Sequence, residues 1–226
     1  KRRFPYYKIY GNATFDQIFS KEELDGALRK EITMLGTVFL ENQGNGSFTY
    51  KLLPESAQMA PVYGISIADV NGDGKPDVLL TGNRTDTETL GGYPNGSIGT
   101  VLLGDGRGGF RNLEVDKSGF NTPGDTRGIA QLISDKGTDF LVANNNGKLQ
   151  CFTLETNLRM LFLEPEDIYA LIKMPDGKVF KREFYFGSGY LSQSSRKFQY
   201  PKNAVSVIIY NSIKGERDIL QTEIAK

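Results

Sequence analysis

Residues 69–77 read DVNGDGKPD and crowd side-chain oxygens into one short loop. Counting from Asp69 as position 1, Asn71 is position 3, Asp73 position 5, Gly74 position 6, Lys75 position 7 and Asp77 position 9. The first seven positions follow the logic of a calcium loop: side-chain oxygens at 1, 3 and 5, glycine at the sharp turn, a backbone carbonyl at 7. Three carboxylates this close repel one another unless a cation neutralises them. Ca2+ accepts about six to eight oxygens in a flexible shell, whereas Mg2+ prefers to keep its waters. A Gly/Asp hairpin turn without an ion uses the same residue types, because Asn-Gly and Asp-Gly are ordinary turn formers. The spacing of four ligand positions favours the ion.

Other chemistries are restricted by what the chain lacks. Its 226 residues contain no His and one Cys, Cys151. A Ser-His-Asp or Cys-His nucleophile cannot be assembled, nor can a His/Cys zinc site or an intrachain disulfide. Cys151 sits in the alternating stretch KLQCFTL and is expected to be a small buried hydrophobe. Lys plus Arg and Asp plus Glu number 27 each. That balance argues against a nucleic-acid partner, which calls for a basic excess. No apolar run approaches the length of a membrane-spanning helix, and no apolar leader follows the charged first residues.

The elements around the acidic loop are short and β-like. GISIA before it alternates, and VLLTG after it is a brief apolar run, so the loop joins two strands and not the helices of an EF-hand. The segment also repeats. GTVFLENQGNGSF at 36–48 is followed 63 residues on by GTVLLGDGRGGF at 99–110. GISIADVNGDGKPDVLLTGN from Gly64 is followed 64 residues on by GIAQLISDKGTDFLVANN from Gly128. Each unit reads strand, Gly-rich hairpin, long connection, strand, acidic turn, strand. That composition predicts a mainly β chain, and a period near 60 with about four strands per unit suits a propeller blade.

NQGNGSF followed by ISIADVNGDGKPDVLLTG resembles the FG-GAP/VCBS repeat of integrin α-like β-propellers. The resemblance implies calcium held between two strands of a blade, with Asp69, Asn71, Asp73, the Lys75 carbonyl and Asp77 as ligands. The second unit departs from it: LISDKGTD is shorter and keeps only Asp135 and Asp139, too few oxygens for an ion. About two blades span 36–158, whereas propellers close with about four to eight. The remaining blades then belong to a longer chain or come from elsewhere, and the open edges need covering.

The flanks read differently. Residues 1–35 are expected to form a short helical segment. A Ser20/Glu23 capping box and a Phe19/Leu24 staple open a predicted helix over 20–32, with Leu24, Ala27, Leu28 and Ile32 on its apolar face. Residues 159–226 predict a small β domain, with strands at 167–174, 178–186 and 204–210 and a turn at 174–177. GSGYLSQSSRKF at 187–198 is similar to the ASPIC/UnbV domain, although QYPK and YNSIKG replace that family's later motifs. Tyr190, Ser192, Gln193 and Arg196 are candidate ligand contacts there; the alternative is that they hold a loop through bonds to the backbone. The polar stretch 83–99 has no counterpart in the second unit, and long loops on rigid scaffolds carry recognition. Sequons stand at Asn12, Asn45, Asn83 and Asn95, two of them in Asn-Gly-Ser turns that want those residues anyway.

The resemblance implies a non-enzymatic, calcium-stabilised propeller part for extracellular or cell-surface recognition or adhesion, with a protein or glycan ligand. Two other expectations remain: a calcium-dependent carbohydrate-active enzyme or an accessory domain of one, and a structural scaffold of a larger surface assembly.

Overall fold

The computed structural model describes residues 3–88, 90–156, 158–187, 189–190 and 192–220. It divides into two compact units, Lys1–Leu35 and Gly36–Lys226. The chain is mainly β, and among the described residues every strand pairing is antiparallel.

The first unit holds two short helices, α1 (Tyr7–Gly11) and α2 (Phe15–Ile18). The helix expected over 20–32 is not formed: turns occupy 21–26 and no regular structure follows. The capping box itself is present, with the Ser20 amide donating to Glu23 Oε2 at 2.8 Å and the Glu23 amide to Ser20 Oγ at 3.3 Å. Arg3 also binds Glu23, at 3.0 and 3.1 Å. A cap closes only one turn, however. Gly26 takes φ +71°, which ends any helix there. A helix this short needs a packed face to persist, and Leu28 and Ile32 are exposed.

In the second unit, β1 (Val38–Asn42) and β2 (Phe48–Leu52) form a hairpin. Strands β3 (Val62–Ala68), β4 (Asp77–Gly82), β5 (Thr100–Gly104) and β6 (Phe110–Leu113) make a four-stranded sheet in that order. Strands β7 (Thr126–Ile133), β8 (Gly137–Asn144) and β9 (Gln150–Glu155) make a three-stranded one. β4 and β5 read as continuous apolar runs because both of their faces are covered. Leu79, Val101 and Leu103 pack with Ile129, Phe140 and Val142 across the two sheets, while Leu80 and Leu102 face the other way onto Ala57. Each such side chain contributes roughly 1.5–3 kcal/mol by leaving water.

The hairpins β3–β4 and β7–β8 share an irregularity. The register shifts between Val62 and Gly64 in one and between Thr126 and Gly128 in the other. Tyr63 and Arg127 are therefore extra residues, each without a partner position, 64 apart (127 minus 63).

Cys151 is exposed, contrary to expectation. β9 is the outer strand of its sheet, and its alternation turns Phe152 and Leu154 onto the core, which leaves Cys151 on the opposite face.

The rest forms a separate core. Strands β10 (Leu158–Phe162) and β13 (Lys197–Pro201) pair, and β11 (Asp167–Lys173), β12 (Val179–Glu183), β14 (Ser206–Asn211) and β15 (Gly215–Asp218) form a sheet in the order β12-β11-β14-β15. β11, β12 and β14 fall on the three strand runs expected from sequence. Ala170, Ile172, Phe198, Tyr200, Val207 and Ile209 fill the space between them.

Residues 192–195 lie along β7. Ser192 Oγ donates to the Ile129 carbonyl at 2.9 Å, and the Gln131 and Ile133 amides donate to Ser194 Oγ and Ser195 Oγ, both at 3.0 Å. The Ser195 amide donates to the Gln131 carbonyl at 2.8 Å. Serine hydroxyls thus satisfy the outer edge of β7, where a neighbouring strand would otherwise be needed. Replacing Ser194 and Ser195 together by Ala is expected to cost about 2 kcal/mol and to raise hydrogen exchange at Gln131 and Ile133. Unchanged protection at both amides would show that the hydroxyls are not what holds this edge.

Candidate functional site

The acidic loop connects β3 to β4 and folds around its own side chains. Asp69 Oδ1 accepts from the Gly72 and Asp73 amides at 2.8 and 3.1 Å, and Oδ2 from the Gly74 amide at 2.8 Å. Asn71 Oδ1 accepts from the Asp73 amide at 2.9 Å. Asp73 Oδ1 accepts from the Lys75 amide at 2.9 Å, and its Oδ2 pairs with Lys75 Nζ at 3.4 Å. Gly72 and Gly74 take φ +76° and +79°, which is why glycine alternates with the acids here.

Asp77 differs from the others because it is fully buried. Its Oδ2 accepts from the Val70 amide at 2.9 Å and its Oδ1 from the Gly104 amide at 2.8 Å, so one carboxylate ties the loop to β5. Burial pushes this carboxyl above its ordinary range; the two amides oppose the shift, and the charges of Asp69 and Asp73 add to it. Asp73 is held below its ordinary range, chiefly by the Lys75 amide.

The donor set suits a hard cation, because all its side-chain donors are oxygens. The arrangement is not drawn in around an ion. Among the described residues no group of three or more Asp, Glu, His or Cys side chains is gathered so that it could hold a metal. The corresponding turn of β7–β8 is shorter. Ser134 and Gly137 close it by a backbone bond at 2.8 Å, and Asp139 lies on β8 bonded to Thr153 Oγ1 at 2.7 Å.

The C-terminal candidates are bound to their surroundings. Besides Ser192, Gln193 accepts from the Gly187 amide at 2.6 Å and donates to the Ser194 carbonyl at 3.0 Å. Arg196 donates to the carbonyls of Glu164, Pro165 and Asp167 and stacks 4.0 Å over the Phe186 ring. Tyr190 stands apart: it is 54% exposed and rests 5.9 Å from the Tyr63 ring. Ser188 and Leu191 of the same motif lie outside the described residues.

The long connection from β4 to β5 is anchored at one residue. Asn83 is fully buried at φ +82°. Its Nδ2 donates to the carbonyls of Ser97, Pro123 and Gly124 at 2.7, 3.1 and 3.0 Å, and its Oδ1 accepts from the Ser97 amide at 2.9 Å. As a sequon Asn83 is thus enclosed by the fold. Sequence reasoning missed this anchor; an Asn directly after the Gly that ends β4, where a left-handed residue is wanted, was the available signal.

No protein-family model matches the chain, and no solved structure matches it. Among the described residues no helix is long and apolar enough to cross a membrane.

Proposed function

We propose that this chain is a calcium-stabilised, non-enzymatic β-propeller part that serves recognition or adhesion outside the cell or at its surface. The observation that carries it is the oxygen-rich loop itself, where Asp69, Asn71 and Asp73 line one turn and buried Asp77 closes it against β5. A divalent cation would neutralise the carboxylates of such a loop. Asp69, Asn71, Asp73, Asp77 and the Lys75 carbonyl would hold it, and its role would be to lock the β3–β4 turn against β5. A loop of this kind fills readily where calcium is near millimolar, which favours an extracellular setting. The blade reading is supported by the matching bulges of the two hairpins and by their apolar contact. Scaffolding remains a second reading, favoured by the ties of Ser192, Gln193 and Arg196 to backbone groups.

An ion bound only by the folded state stabilises it by about 2.7 kcal/mol at a hundredfold excess over Kd. For a chain of this length that raises Tm by roughly 5–10 °C. Asp73→Ala should remove most of this rise, and Asp135→Ala should leave it intact. Equal melting temperatures in EDTA and in millimolar calcium would refute the metal reading, and a stoichiometry of two ions would refute the assignment to one loop.

A further inference from the structure

We propose that the two bulge residues Tyr63 and Arg127, together with Tyr190, Asp86, Asp125 and Asn145, form a binding surface for a neutral oligosaccharide. This rests on the recognition reading above and names its site and ligand class.

Bulges re-aim side chains and are over-represented beside functional sites. Here two of them, at equivalent places in successive hairpins, turn their side chains onto each other: the Arg127 guanidinium lies 4.6 Å from the centre of the Tyr63 ring. Tyr190 arrives from the distant C-terminal segment and completes the platform, its ring inclined 37° to that of Tyr63. The loop after β4 supplies the polar side. Asp86 pairs with Arg84 at 2.6 Å and with Arg127 at 3.4 Å. Asp125 binds Thr85 Oγ1 at 2.8 Å, Asn145 Nδ2 at 3.2 Å and Arg127 Nε at 2.8 Å. Although Asp125 is buried, its Oδ1 lacks a well-directed hydrogen bond. Thr85, Asp86, Asp125, Asn145 and Asn146 line one open groove, joined to the Tyr63 ring through Arg127.

The chemistry of this surface selects its ligand. Arg84 and Arg127 are already paired with Asp86 and Asp125, so these four charges offer an ionic ligand little; of the charged residues lining the groove this leaves Lys148. What remains is a set of donors and acceptors, locked in place by their own bonds, next to the exposed ring of Tyr190. Sugar hydroxyls both donate and accept, and the C–H face of a pyranose packs on a tyrosine ring. A site whose side chains are already fixed loses little entropy when it binds. A protein partner calls for a larger central apolar anchor than two tyrosines provide.

The test is an array of neutral gluco-, manno-, galacto- and xylo-oligosaccharides probed with the whole chain in millimolar calcium, followed by calorimetry on the hits. Tyr190→Ala and Asp86→Ala, both at exposed positions, should weaken binding at least about tenfold, or 1.4 kcal/mol. Tyr50→Ala, an exposed tyrosine on β2, should bind as the parent does. The proposal fails if a cooperatively melting parent binds no neutral oligosaccharide, if the two variants bind undiminished, or if the ligand proves to be a protein or an anionic glycan. The melting shift in calcium, read on the same samples, separates the two ideas. Site-dependent sugar binding without the shift defeats only the calcium reading; the shift without sugar binding defeats only this one.

Discussion

Asp77→Ala is expected to lower stability by about 3–4 kcal/mol and Tm by roughly 10 °C, in EDTA as well as in calcium. The loss comes from two directions. The substitution strips the Val70 and Gly104 amides of their acceptor, and leaving such a donor unpaired costs about 1–3 kcal/mol. It also frees the acidic loop from β5. Ionisation of Asp77 itself works against the fold, because burial raises its carboxyl. Its contribution is therefore most favourable at acid pH and weakens as pH rises through the folded-state value. Calcium counteracts that ionised form, so its stabilising effect should grow as pH rises through the carboxylate range. Asp77→Asn keeps one acceptor oxygen and should fall between the parent and Ala. Thermal melts of the three proteins, with and without calcium, decide this; an Asp77→Ala protein as stable in EDTA as the parent would show that the two amide bonds carry little.

Asn83→Ala should be at least as damaging, at about 3–5 kcal/mol. One side chain holds the start and end of the 83–97 connection and the 123–124 turn together. Its removal leaves buried carbonyls and an amide unpaired, at about 1–3 kcal/mol for each group that water cannot reach. Alanine also tolerates φ +82° less well than asparagine, at roughly 1–2 kcal/mol. Asn83→Gly isolates the two effects, since glycine removes the bonds but not the backbone fit. Denaturant unfolding of the pair is the measurement. If Ala and Gly variants both match the parent, the anchor is not structural. Because Thr85 and Asp86 follow closely after Asn83, either variant should also loosen the groove they line.

The β character, the strand–turn–strand setting of the acidic loop and the three main strands of the C-terminal sheet were legible in sequence. Local patterning decides them: alternation, short apolar runs, and glycines where the chain must turn. The failures were equally physical. Ser20 and Glu23 form the expected cap, yet the helix does not propagate, because Gly26 and unburied Leu28 and Ile32 give it nothing to pack on. Alternation around Cys151 was real, but its phase depends on which face of β9 meets the core.

By itself, the sequence determined the residue types at the acidic loop, the absence of histidine chemistry and the recurrence of the hairpins. Tertiary structure alone decided that Asp77 ties the loop to β5, that Asn83 is a buried clamp, and that Ser192, Ser194 and Ser195 satisfy the edge of β7. It also brought Tyr63, Arg127 and Tyr190 to one surface. The reason is the range of the forces involved. Turns and strand alternation arise from neighbours a few residues apart, whereas these contacts join groups separated by 14 to 127 residues (190 minus 63 for the two tyrosines) and exist only once the sheets have packed.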